Sequence, residues 1–71
     1  MAAVTAEEYI ARFAEALGRA APTDEEVARV LQLASVAAHA SERRAAPVCC
    51  WLAATTGTDL AEARRIAEGL G

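Results

Sequence analysis

Lysine is absent from this 71-residue sequence, and all seven basic residues are arginine. The formal net charge is −3, with the arginines scattered along the chain. Neutralising phosphates requires a concentrated basic face, so we expect no nucleic-acid partner. The same shortage of positive charge argues against binding to an anionic membrane surface.

Long apolar runs are also absent: none approaches the roughly 20 residues that span a bilayer. The first five residues have neither the basic nor the apolar region of a signal peptide. The only cysteines, Cys49 and Cys50, are adjacent. Their Cα atoms must lie about 3.8 Å apart, below the usual disulfide range of roughly 4.4–6.8 Å. We therefore expect two reduced thiols, a cytoplasmic protein and no membrane partner.

Aromatic residues are few, and much of the 55% apolar fraction is alanine. Alanine has the highest helix propensity, and the alternating pattern of strands is missing. At this length one core rarely supplies more than about 3–5 kcal/mol of stability, so a partner, a staple or very regular packing is needed. The sequence predicts an all-α fold: one domain over residues 1–71, a compact bundle of four short helices.

Capping residues and apolar spacing predict helices at about 5–17, 23–40, 47–56 and 59–69. The first two begin with capping boxes, Thr5–Glu8 and Thr23–Glu26. Asp59 and Glu62 have capping spacing at the fourth helix. Gly18 and Gly57 are expected to end helices in the left-handed conformation, and Pro47 fits a first helical turn.

Apolar residues three and four positions apart define the faces that we expect to be buried. Helix 1 presents Tyr9, Ile10, Phe13 and Leu17. Helix 2 is apolar around most of its circumference and should be central; its stripe is Val27, Val30, Leu31, Ala34, Ala37 and Ala38, widened by Leu33 and Val36. Helix 3 presents Val48, Trp51, Leu52 and Thr55, and helix 4 presents Leu60, Ala63, Ala67 and Leu70, beside Ile66. The three aromatic residues should supply most of the core volume.

One polar cluster stands out between helices 2 and 3, and its candidate binding residues are His39, Arg43, Arg44 and Pro47. His39 is either a ligand or proton carrier, or a residue that complements the helix C-terminus. The two arginines either bind phosphate or carboxylate, or serve a helix end and solvent. A small anion site beside the start of helix 3 is one interpretation.

Other chemistry has little support in the sequence. Consecutive helical residues point about 100° apart, so Cys49 and Cys50 cannot easily converge on one metal ion, and the Cys-x-x-Cys spacing is missing. Buried structural thiols are the favoured interpretation; a nucleophilic Cys49 would have only His39 as a base. We predict no catalytic residues, no metal and no cofactor, and a chain that is not an enzyme.

The segment 36–48 resembles part of a small actinobacterial helical domain of unknown function, found alone or associated with molybdenum cofactor guanylyltransferases. Ala38-His39, Arg43 and Ala45-Ala46-Pro47 match its pattern, whereas Arg44 stands where that family usually has proline. The resemblance implies an accessory module linked to molybdenum cofactor biosynthesis.

Three functions therefore remain open. The first is a binding or accessory module that works through a protein partner. The second is a structural homodimer, since a small alanine-rich core often needs a second copy. The third is a small-anion binder at the loop from His39 to Arg44.

Overall fold

The computed structural model describes residues 4–71, which form an all-α bundle and confirm the predicted fold class. Its helices are α1 (Ala6–Ala16), α2 (Asp24–Ala40), α3 (Ala45–Thr56) and α4 (Leu60–Leu70). None of these helices is both long enough and apolar enough to cross a membrane.

The starts of α1, α2 and α4 are fixed by side-chain caps, as predicted. Thr5 Oγ1 accepts the Glu8 N–H at 3.1 Å, and Thr23 Oγ1 accepts the Glu26 N–H at 3.1 Å. In return, Glu26 Oε1 accepts the Thr23 N–H at 2.8 Å. This bond from the Thr23 backbone lowers the pKa of Glu26, because it favours the charged carboxylate. Asp59 Oδ2 accepts the N–H groups of Ala61 and Glu62 at the start of α4.

The ends of α1 and α3 also follow the sequence, whereas the start of α3 needs a correction. Gly18 and Gly57 adopt φ values of 81° and 69°, the left-handed conformation that favours glycine. The prediction that the third helix begins at Pro47 is wrong: α3 begins at Ala45 with Arg44 as its N-cap. Pro47 still lies in the first turn, where a missing N–H costs no helical hydrogen bond.

The central element is α2, which packs against both α3 and α4, as its broad apolar stripe predicted. The four-residue connection 41–44 makes α3 antiparallel to α2, and the Cys50 thiol lies 3.8 Å from the Val30 carbonyl oxygen. By contrast, α4 runs parallel to α2. Near the start of α4, Arg64 donates a hydrogen bond to Gln32 in the middle of α2. Just past the end of α4, a Cβ added at Gly71 would lie 3.0 Å from the Cβ of Ala40, the last residue of α2.

The buried core of the described residues is very small. It consists of Ala14, Leu33, Ala37 and Ala53. Leu33 is the only large side chain among them, with 2% of its surface exposed. Alanine at these positions lets the helices approach closely, but leaves little volume for larger side chains.

The prediction that the aromatic residues fill this core is wrong. Tyr9, Phe13 and Trp51 are each more than half exposed. Only one edge of the predicted face of α1 points toward the bundle. Ile10 lies at that edge and borders clefts shared with α2, and the neighbouring Ala14 is buried. Phe13 and Leu17 line one of these clefts but stay more than half exposed, and Tyr9, at the outer edge of the face, is also exposed.

In α3 the predicted buried face is the wrong one. The face turned inward carries Ala46, Cys49, Cys50 and Ala53, while Val48, Trp51, Leu52 and Thr55 are exposed. These two sets lie on opposite sides of a helix with 3.6 residues per turn. The small set faces α2 because α2 also presents alanines, and close approach of two helices needs small side chains on both.

Two further burial predictions need correction. Leu31 of α2 is 62% exposed, since the buried line of that helix runs through Leu33 and Ala37. In α4 the half-buried positions are Leu60, Ala63 and Ala67, as predicted. Leu70, however, is 84% exposed and Ile66 is more than half exposed, so the end of the predicted stripe lies at the surface.

Candidate functional site

His39 lies in the last turn of α2 and is exposed. Its Nδ1 lies 2.7 Å from the carbonyl oxygen of Ser35 and 3.3 Å from the Ser35 hydroxyl. A carbonyl oxygen only accepts hydrogen bonds, so Nδ1 must carry the proton. In the neutral ring, Nε2 then carries the free lone pair, so Nε2 is the nitrogen that can accept a hydrogen bond from a ligand.

The arginines of the loop differ in their contacts. Arg44 Nε donates to Glu42 Oε2 at 3.3 Å, and both side chains are largely exposed. Arg43 is exposed, and its side chain makes no hydrogen bond or ion pair within residues 4–71. Neither arginine serves a carbonyl of the last turn of α2 in this part of the chain.

The start of α3 offers few free amides to an anion. The Ala45 N–H donates to Glu42 O at 2.9 Å, and the Ala46 N–H donates to Arg43 O at 3.1 Å. Pro47, which is exposed, has no N–H. An anion at this loop would therefore depend on the arginine side chains and not on the backbone.

The two thiols are free and half-buried against α2. Burial raises the pKa of Cys50, and the neighbouring Cys49 raises it further. Within residues 4–71, no three histidine, cysteine or acidic side chains are grouped as a metal site would require.

An exposed apolar stripe runs along α1, which we call the α1 ridge: Tyr9, Phe13 and Leu17. The residues are four positions apart, so they lie in one line on the helix surface. All three are more than half exposed. The spacing was visible in the sequence, but it indicated a buried face.

A second apolar surface lies between α3 and α4, which both rest on α2. We call it the α3–α4 groove, with a volume of about 200 Å³. Leu33 and Ala53 form its floor, and its walls include Leu52, Ile66 and Leu70. Its remaining lining residues are Cys49, Thr56, Thr58, Ala63 and Ala67, so no charged side chain lines it.

A polar cleft of about 260 Å³ lies between α2 and α4 and contains three arginines. Arg29 pairs with Glu25 at 2.5 Å, Arg64 pairs with Glu68 at 3.5 Å, and Arg65 pairs with Glu62. Because every guanidinium here already has a carboxylate partner, the cleft is a set of surface ion pairs with little spare positive charge.

The profile of a protein family described as a domain of unknown function, DUF6457, matches residues 1–70. The chain belongs to this family. No curated protein and no solved structure matches the chain significantly. The match covers all four helices, including α4, which the resemblance in the sequence did not reach.

In this DUF6457 chain the sequence-predicted site residues His39, Arg43, Arg44 and Pro47 are all exposed. No hydrogen bond or ion pair joins His39 to Arg43 or Arg44 in the part of the chain that the structure describes. Sequence reasoning missed both apolar surfaces, because it assigned their residues to the core. One signal could have revealed the exposed wall of the α3–α4 groove: the small residues Ala46, Cys49, Cys50 and Ala53 share a face of α3 that matches the alanines of α2.

Proposed function

We propose that this DUF6457 chain is an accessory module that binds a protein partner through the α1 ridge. The observation that supports this proposal is the aligned exposure of Tyr9, Phe13 and Leu17 on a helix whose one buried residue is Ala14. Tyrosine and phenylalanine are enriched at protein interfaces. A helix with apolar anchors at i, i+4 and i+8 matches recognition in an apolar groove of a partner.

Charge indicates the chemistry of that partner. On the sides of α1 away from the ridge, Glu7, Glu8 and Glu15 stand against one arginine, Arg12, so the helix is acidic overall. A basic partner would attract this acidic helix and would increase the rate of association. We therefore expect a partner with an apolar groove for the ridge and a net positive charge around it.

We further propose that the partner is a molybdenum cofactor guanylyltransferase of the same, actinobacterial, organism. The support is the resemblance of residues 36–48 to domains associated with those enzymes. In this role the chain contributes binding and no catalysis. A cytoplasmic location suits it, since Cys49 and Cys50 are both free thiols.

The loop from His39 to Pro47 is proposed as a second contact with the partner. Arg43 has all five guanidinium donors available within the described residues, and His39 Nε2 can accept a hydrogen bond from the partner. An acidic side chain of the partner would satisfy Arg43 bidentately. Replacing Arg43 with alanine should then weaken binding without changing the helical content.

The test is binding of the purified chain to the purified guanylyltransferase of its own organism, measured by biolayer interferometry. Phe13→Ser should weaken binding at least tenfold, because the residue is a central aromatic anchor. Ala11→Ser is the matched control, since it adds the same hydroxyl on the side of α1 away from the ridge and should leave affinity unchanged. No binding at tens of micromolar would reject this partner, and equal binding by Phe13→Ser would reject the ridge.

A further inference from the structure

The chain exposes far more surface than a folded protein of its mass normally does. Its accessible surface is 5670 Å² at 7.4 kDa. The usual scaling gives about 4,200 Å² for that mass, so the excess is about 1,500 Å². Within the described residues only one large side chain, Leu33, is buried. The helices therefore need an additional surface to bury apolar groups.

Internal cross-links do not supply this stabilisation, because Cys49 and Cys50 are adjacent on α3 and free. Small domains with limited cores commonly gain stability by oligomerisation. A stable interface hides about 800 Å² on each partner. The excess surface of this chain exceeds that requirement, so one interface of ordinary size can be accommodated.

We propose that the α3–α4 groove is a homodimer interface, covered by the same face of a second copy of this chain. The groove presents Leu52, Ile66 and Leu70 around a floor formed by Leu33 and Ala53. In a two-fold dimer the same patch meets itself, so the walls of each groove pack against those of the other copy. Leu70 is the most exposed of these residues and becomes buried between the two chains.

Charge favours a second copy over another partner on this face. Each chain carries a net charge of −3, so two copies repel if charged residues meet. The lining of the groove contains no charged side chain. Interfaces between identical subunits are more apolar than transient ones, and their centres are depleted in charge. The α1 ridge lies on different residues and stays free for the proposed partner.

The proposal is tested by sedimentation equilibrium of the full chain from 1 to 100 µM. The mass should be twice 7.4 kDa. Leu70→Glu should weaken dimerisation at least tenfold, because it places two like charges in an apolar interface. Tyr9→Glu, an equally polar change on the α1 ridge, should leave the dimer intact. A wild-type chain that sediments at 7.4 kDa at 100 µM would overturn the proposal.

A second measurement does not depend on how the variants fold. In a mixture of isotope-labelled and unlabelled wild-type chains, filtered NOE spectra detect contacts between copies only. We expect such contacts from the methyl groups of Leu52, Ile66 and Leu70. A dimer with contacts from Leu17 alone, or one that Tyr9→Glu dissociates and Leu70→Glu does not, would place the interface on the ridge and overturn the proposal.

Discussion

Replacing Leu33 with alanine should remove most of the stability of the fold. Leu33 is the only large buried side chain in the described residues, and it forms part of the floor of the α3–α4 groove. The change deletes three carbon groups, worth about 0.8 kcal/mol each, and leaves a cavity; comparable substitutions cost about 2–5 kcal/mol. We expect a loss of about 3 kcal/mol, in the lower half of that range, because the open groove lets neighbours and water relax toward the gap.

The assay is urea unfolding followed by circular dichroism, at one fixed protein concentration for all variants, since dimerisation would make stability depend on concentration. With a slope near 1 kcal/mol per molar urea for a chain of this size, the midpoint should fall by about 3 M. Leu31→Ala is the matched control, because it makes the same change on the same helix at an exposed position. It should cost less than about 0.5 kcal/mol. Equal losses for the two variants would refute the assignment of Leu33 to the core.

Two further predictions concern the caps and the thiols. Thr23→Ala should destabilise the protein by about 1 kcal/mol in urea unfolding at pH 7, whereas an unchanged midpoint would show that the capping box contributes nothing. Because the folded-state pKa of Glu26 lies below its ordinary value of 4.5, its contribution is present above that pH and is lost as the pH falls through the lowered pKa; Glu26→Gln should flatten this acid limb of the stability curve. The raised pKa of Cys50 predicts slower alkylation by iodoacetamide at pH 8 than that of an unstructured peptide thiol, measured by mass spectrometry; an equal rate would contradict it.

The elements of the fold were predictable because they are coded locally. A threonine followed three residues later by glutamate satisfies free amides at a helix start whatever the rest of the chain does. Gly18 and Gly57 end helices because the left-handed conformation is open to glycine. These signals act within four residues, so Thr5 and Thr23 marked the starts of α1 and α2 correctly.

The inward faces were less predictable, because they depend on which helices meet. Helix α3 is apolar around most of its circumference, so hydrophobicity alone gives no periodic signal that distinguishes Ala53 from Trp51. Ranking residues by size led to the choice of Trp51. The neighbouring face of α2, with Ala37 at its centre, in fact requires small side chains opposite it.

The candidate site was only partly predictable for a related reason. The loop residues His39, Arg43 and Arg44 were recognisable because polar residues interrupt an apolar pattern. Their mutual distances depend on the path of the loop, which the pattern does not specify. The α1 ridge and the α3–α4 groove could not be found as sites while their residues were counted as core.

Close helix packing through alanine links the small core to the proposed function. When Ala14, Ala37 and Ala53 occupy the contacts, large apolar residues have no internal space and must lie outside. The resulting surface is costly to leave in water, at about 25 cal/mol for each Å². Both apolar surfaces therefore gain from being covered, and the covering chains contribute stability that the core cannot. The same side chains that fail to stabilise the monomer are then the ones that select its partners, so binding and folding of this chain should be coupled.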